Sequence, residues 1–188
     1  MNIGITEKLF AVGLIQYGRF QVANRQVPFR LLLDYLPAHP EMLGQLAQAV
    51  LAYIPQQVDR ILVGQESLPL GVMLCVNSGK PLIYSRGQGE DAAFDLVGAY
   101  NSGHRAVLVT TVLDEYDDIA ALVARAGRVG LVVEHLVALI SVRQPQVHPD
   151  LTLVTVLQFG DITRQLGKAG RIPDAHVRTT LDWLAASR

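Results

Sequence analysis

Apolar residues in this chain follow two patterns: short unbroken runs, and longer segments in which they return every three to four positions. Both are clearest between His104 and Ile140, HRAVLVTTVLDEYDDIAALVARAGRVGLVVEHLVALI. The run Ala106 to Val109 predicts a strand. Ile119, Leu122, Val123 and Ala126 predict a helix, Gly130 resets the chain, and Leu136 to Ile140 predicts a second strand. Strand, loop, helix and strand in that order form the repeating unit of a parallel α/β sheet. Ligands of such sheets lie beyond the carboxyl ends of the strands. The polar loop Thr110 to Asp118, TTVLDEYDD, is therefore the first place to look for a site.

The same signals divide the rest of the chain. A first helix is expected over Thr6 to Gln16, with Thr6 as N-cap and Leu9, Phe10, Gly13 and Leu14 on one face. Arg19–Val22 and Val27–Leu33 read as two strands joined by the polar ANRQ turn, a small hairpin. Pro40 opens a helix over Glu41 to Ile54. Asp59–Val63 reads as a buried strand ending at Gly64, and Leu68–Ser78 as a helix closed by Gly79. Pro81–Ser85 is a strand, Arg86 to Asp91 a polar loop, Phe94–Val97 a short strand and Asn101–Gly103 a turn. Leu151–Leu157 alternates like a strand. Gly160–Leu166 and Asp174–Ala186 read as helices, the second capped by Asp174 behind Pro173. No internal repeat or low-complexity segment interrupts this order.

Composition narrows the function classes. A length of 188 residues suits one α/β unit with a small appendage. Half the residues are apolar, enough for a sizeable core, and the net charge is −1. Lysine occurs only as Lys8, Lys80 and Lys168, so no basic face for nucleic acid is expected. Charges break every apolar stretch well before the ~18 residues of a membrane span. The opening MNIGITEKLF has no basic leader or long apolar stretch, so no secretion signal is expected. The single cysteine, Cys75, cannot form an internal disulfide and fits a reducing cytoplasm. Inside the run VMLCV it is expected as buried filler.

Several phrases, in this order, resemble the orotate phosphoribosyltransferases. GLIQYGRFQV (Gly13–Val22) is similar to that family's opening helix and first hood strand, and HPEMLGQLAQAVLAYI to its second helix. GKPLIYSRG (Gly79–Gly87) is similar to its G-K-P strand, and GLVVEHLVALI (Gly130–Ile140) to the strand after its phosphate-loop helix. FGDITRQLGKAGRIPDAHVRTTLDWL looks like its C-terminal helices. The resemblance implies a type I phosphoribosyltransferase-like α/β fold, a mostly parallel sheet flanked by helices, in one domain. The hood would lie mainly in residues 1–37, the core in about 40–157 and the C-terminal helices in 158–188. It also implies a homodimer that joins orotate to the ribose of phosphoribosyl pyrophosphate with Mg²⁺.

The family's signature is an acidic pair, a hydrophobic pair, then T-T-G-G-S. The acids lie near the ribose hydroxyls, and the small residues wrap a phosphate at a helix N-terminus. Aligned without gaps, the acidic pair falls on Thr110 and Thr111, the hydrophobic pair on Val112 and Leu113, and the phosphate cradle on Asp114, Glu115, Tyr116, Asp117 and Asp118. Four carboxylates stand where a phosphate would rest. One like-charge contact near 4 Å costs about 4 kcal/mol at an effective dielectric of ~20. Asp117 and Asp118 are expected to serve the free helix N–H groups themselves. The hood lysine falls on Ala23, followed by Asn24 and Arg25. The mobile-loop pattern falls on Arg86, Gly87, Glu90 and Ala92, where only Arg86 survives. The pyrophosphate loop reads GQESLPLG (Gly64–Gly71) and is about two residues short. The Asp-Arg pair falls on Ser141 and Val142, with Arg143 one residue away, and Phe29 is placed to line a base pocket.

Each of these has a plainer reading. Arg86 at a strand end suits an ion pair or interface as well as an anion. The acidic loop suits a solvated helix cap as well as a divalent cation. Adjacent strand residues such as Glu134 and His135 face opposite sides, which disfavours an acid–base pair. The other histidines show no metal-ligand spacing. Three functions remain open. The chain is a degenerate relative that binds or regulates, with a partner or a nucleotide-like small molecule as ligand. It is an active enzyme whose rearranged site is Arg86, Phe29, Arg143 and the acidic loop, with the carboxylates of that loop holding Mg²⁺. Or it is a structural subunit of a larger assembly.

Overall fold

The computed structural model describes residues 3–22, 25–87, 95–114, 119–143 and 150–186. A six-stranded sheet carries β3 (Arg60–Val63), β4 (Leu82–Ser85), β5 (Leu96–Val97), β6 (Arg105–Leu113), β7 (Val132–Ser141) and β8 (Thr152–Gln158) in the spatial order β5-β4-β3-β6-β7-β8. All pairs are parallel except β4 with the two-residue β5. Successive residues of the strands face opposite layers. Ile61, Val63, Val107, Val109, Val137 and Leu139 join a cluster with α1 (Ile3–Ala11), α2 (Pro40–Leu51) and α3 (Leu68–Ser78). Leu62, Leu108, Leu136 and Ala138 pack the other way against α4 (Ile119–Arg128). Helices on both faces bury the central strands, so β6 and β7 are apolar with little alternation.

A second, two-stranded sheet pairs β1 (Ile15–Val22) antiparallel with β2 (Arg25–Leu31). An isolated hairpin is marginal in water, and this one is docked through aromatic rings. Tyr17 lies 6.2 Å from Phe10 and 6.1 Å from Phe159, which opens α5 (Phe159–Lys168). Phe29 lies 4.3 Å from Phe159 and meets Trp183 of α6 (Asp174–Ala186) edge-on at 5.2 Å. The Tyr17 hydroxyl and Thr163 Oγ1 form a 3.0 Å hydrogen bond. Burial pushes the Tyr17 phenol up to about 12, more than the Thr163 bond lowers it.

The predicted helix over Leu68–Ser78 has those bounds, and Gly79 closes it in the left-handed conformation at φ 70°. The last helix has the expected bounds, but Asp174 is its first residue rather than its cap, because the first intrahelical bonds are accepted by Pro173 O. The first helix differs. Gly13 turns the chain at φ 79°, so α1 ends at Ala11 and β1 begins at Ile15. Thr6 is therefore inside α1 and buried, not an N-cap. Cys75 is half-buried rather than core filler, because α3 turns that side partly outward, with Val72 and Val76 exposed beside it. The Lys80 Nζ donates to the carbonyls of Val58 at 2.6 Å and Gln56 at 3.1 Å. Of the expected strand Phe94–Val97, Leu96 and Val97 form β5, and Phe94 lies outside the described residues.

Two consequences are measurable. A methyl group at Gly71 would lie 2.9 Å from Val63 Cγ1 and 3.0 Å from Leu82 Cδ1, so Gly71→Ala must push α3 off the sheet. Its urea midpoint should report a loss of about 1–3 kcal/mol. Tyr17 titrates near 10 when unfolded and near 12 when folded, so the unfolded state gives up its proton first. Stability should fall as pH rises from about 10 to about 12. Tyr17→Phe should remove that component of the slope in urea melts across this range.

Candidate functional site

The order of the strands fixes where a ligand would lie. From β3 the chain moves outward to β4, then crosses back to place β6 on the other side of β3. The connections after β3 and β6 thus leave in opposite directions and open a crevice at the carboxyl ends of these two strands. Its walls are residues 64–67 after β3, Arg86 after β4, Thr110–Asp114 at the end of β6 and Ser141–Arg143 at the end of β7. Ser67 and Thr111 join the two central walls. Ser67 is fully buried, and its Oγ accepts a 2.9 Å hydrogen bond from Thr111 N.

The strand β6 is longer than its apolar run. Thr110 to Leu113, expected in the loop, continue the strand, with Thr110 opposite Ala138 and Leu113 opposite Ser141 of β7. Threonine is β-branched and suits a strand, and Thr110 Oγ1 donates to Val112 O at 2.7 Å, which satisfies the hydroxyl within the strand. Thr110 is 4% exposed and Thr111 6%. Only Asp114 of the acidic loop is described, immediately after the strand and half-buried. Glu115, Tyr116, Asp117 and Asp118 lie outside the described residues, as do Ala23, Asn24, Glu90 and Ala92.

The short connection after β3 holds a carboxylate of its own. A methyl group at Gly64 would run into the Glu66 side chain, so that carboxylate lies against the Gly64 backbone. At the next strand, Arg86 is exposed, and its backbone N–H donates to the Asp95 carbonyl oxygen at 2.9 Å. Asp95 is the buried charge beneath it. It accepts from Ser85 Oγ at 2.6 Å and faces Arg125 Nε of α4 at 3.2 Å. Gly87 N also donates to Ser85 Oγ at 3.1 Å. Sequence reasoning missed this group. Its one local signal is a carboxylate set inside the apolar stretch FDLV.

Phe29 and Arg143 are brought together, although not around an open pocket. Both are 8% exposed. The Arg143 guanidinium lies 3.4 Å from the centre of the Trp183 ring, and its Nη2 donates to Trp183 O at 2.7 Å. Phe29 packs on the edge of the same indole. The expectation that Phe29 lines a base pocket is corrected to this extent: Trp183 and Phe159 cover its ring. Glu134 and His135 lie toward the opposite end of β7, where Glu134 pairs with exposed Arg105 at 3.3 Å, so they take no part in the crevice.

The acidic-pair positions are buried threonines, one already bonded to its own strand, and no cluster of three or more His, Cys, Asp or Glu side chains occurs among the described residues. No helix among them is long and apolar enough to cross a membrane.

No model of a known protein family matches the sequence, and no curated protein does. Solved structures do. Leishmania donovani UMP synthase superposes with a TM-score of 0.85 over 97% of this chain at 18% identity, and this chain spans 42% of that one. Orotate phosphoribosyltransferase from Aeropyrum pernix gives 0.75 at 18% identity, covering 87% of this chain and 98% of the other. The Francisella tularensis orotate phosphoribosyltransferase gives 0.70 at 13% identity, over 97% and 94%. With the parallel sheet and its crevice, these likenesses show the fold: this chain is built on the type I phosphoribosyltransferase architecture that the orotate phosphoribosyltransferases share.

Proposed function

We propose that this chain keeps the phosphoribosyltransferase fold but does not transfer phosphoribosyl groups, and that it acts in the cytoplasm as a homodimeric binding or regulatory module. The observation that carries the reading is the burial of Thr110 and Thr111 at the crevice. In the family's signature the groups at these positions near the ribose hydroxyls are charged acids that the ligand can reach. Thr110 and Thr111 are neutral and nearly inaccessible, with the Thr110 hydroxyl bonded to Val112 O and the Thr111 backbone amide to Ser67. The Glu66 carboxylate against Gly64 supports the same reading, since it opposes a pyrophosphate where the loop backbone would approach it. A nucleotide-like small molecule remains the ligand class that the shared fold suggests.

Two measurements test this. Purified protein incubated with orotate, phosphoribosyl pyrophosphate and Mg²⁺ should yield no orotidine monophosphate above the protein-free control. Steady multiple-turnover product would restore the enzyme as the correct reading. Separately, Thr110→Asp should cost stability on the order of 3 kcal/mol, because a carboxylate would be desolvated without a prepared partner. An unchanged urea midpoint would mean that the position opens to solvent and can carry the missing acid.

A further inference from the structure

β8 closes the order of the six-stranded sheet. One of its edges pairs with β7, and among the described residues no strand pairs with the other. An open edge is a row of unpaired backbone N–H and C=O groups, which chains usually blunt with lysine, proline or a bulge. Thr152–Gln158 reads TLVTVLQ and has no charge, no proline and no glycine. Such a sequence suits the interior of a sheet rather than its rim.

The order of these residues says what fits the edge. The segment reads nearly the same in both directions about Thr155: Val154 mirrors Val156, and Leu153 mirrors Leu157. A two-fold axis at Thr155 sets an antiparallel second copy with valine opposite valine, leucine opposite leucine and Thr155 opposite itself. That is the self-complementarity a symmetric dimer requires. No like charges meet across the axis, because the strand carries none. At its centre Thr155 Oγ1 is buried without a hydrogen-bond partner, and its neighbour on β7 is Ala138, which has no polar side chain to offer. Threonines opposed across two strands hydrogen-bond to each other.

A strand of seven residues is only ~23 Å long, too little by itself for the ~1,200 Å² that a stable dimer buries. Further apolar surface lies beside it. A groove of about 330 Å³ runs along the face of β8 that carries Val156, lined by Ala49, Ala52, Tyr53 and Leu139, with Tyr53 47% exposed. Val154 shares that face, so Val154 of a second copy, opposite Val156, reaches over the groove.

We propose that β8 is the seam between two copies of this chain: the strands pair antiparallel about Thr155, join the two sheets into one and cover the groove at Tyr53. The proposal rests on the homodimer of the previous section and adds where the copies meet.

The test uses the full chain in solution. Wild type should sediment as a dimer. Thr155→Lys sets two ammonium groups against each other at the axis, and should raise the dissociation constant at least about tenfold with an unchanged circular dichroism spectrum. In a Cys75→Ser background, Thr155→Cys should cross-link two copies when a thiol oxidant is added, because opposed residues hold their Cβ atoms ~4.5–5.5 Å apart. Val72→Cys, exposed on α3, should not. Should Thr155→Lys not fold, cross-linking decides. A dimer left intact by folded Thr155→Lys, a dimer that Thr155→Cys fails to cross-link, or cross-linking through Val72→Cys as readily as through Thr155→Cys overturns this proposal alone and leaves a homodimer built on another surface. A monomeric wild type removes the homodimer and this seam together, and leaves the absence of phosphoribosyl transfer to its own assay.

Discussion

The rings of Phe10, Tyr17, Phe159, Phe29 and Trp183 form one continuous column ending on the Arg143 guanidinium, and the molecule's upper half is organised by it. A two-stranded sheet lacks the area to hold itself in place. Rings bury large surfaces, and offset or edge-on pairs add about 0.5–1.5 kcal/mol each beyond that area. The hairpin is therefore fixed to the C-terminal helices, which are fixed in turn to the end of β7. The geometry of the ligand edge is inherited from that packing.

Around the crevice the recurring feature is that positions suited to a guest are met by the protein itself. The Glu66 carboxylate lies on the turn after β3, Ser67 takes the Thr111 amide, Thr110 turns its hydroxyl onto Val112, and Trp183 covers Arg143. Each contact is small alone. Together they leave a crevice whose described polar groups are largely engaged, and such a surface discriminates by what it costs to displace them.

Much of this architecture is legible in the chain wherever punctuation is strong. Gly79 ends α3 at the residue its sequence implies, and the Pro173–Asp174 start sets α6, because backbone restriction acts within one or two residues. The end of β6 is not legible in that way. Thr110 and Thr111 look like loop by polarity, and only pairing with β7 and the bond to Ser67 make them strand. Gly13 falls on an apolar face by spacing, yet its positive φ ends the helix. The placing of Phe29 and Arg143 in one site followed from resemblance. Their cover by Trp183 had no local signal, since a contact across 40 residues depends on how two helices and a hairpin pack.

Asp95, Ser85 and Arg125 carry a different kind of consequence. A fully buried carboxylate that loses a cationic neighbour is destabilised, and breaking a buried pair costs about 3–5 kcal/mol, a large part of a domain's whole stability. Neutral drift cannot easily remove one member at a time. Among descendants of this chain the aspartate and the arginine should persist together or vanish together, leaving paired substitutions as the trace of any lineage that abandoned them.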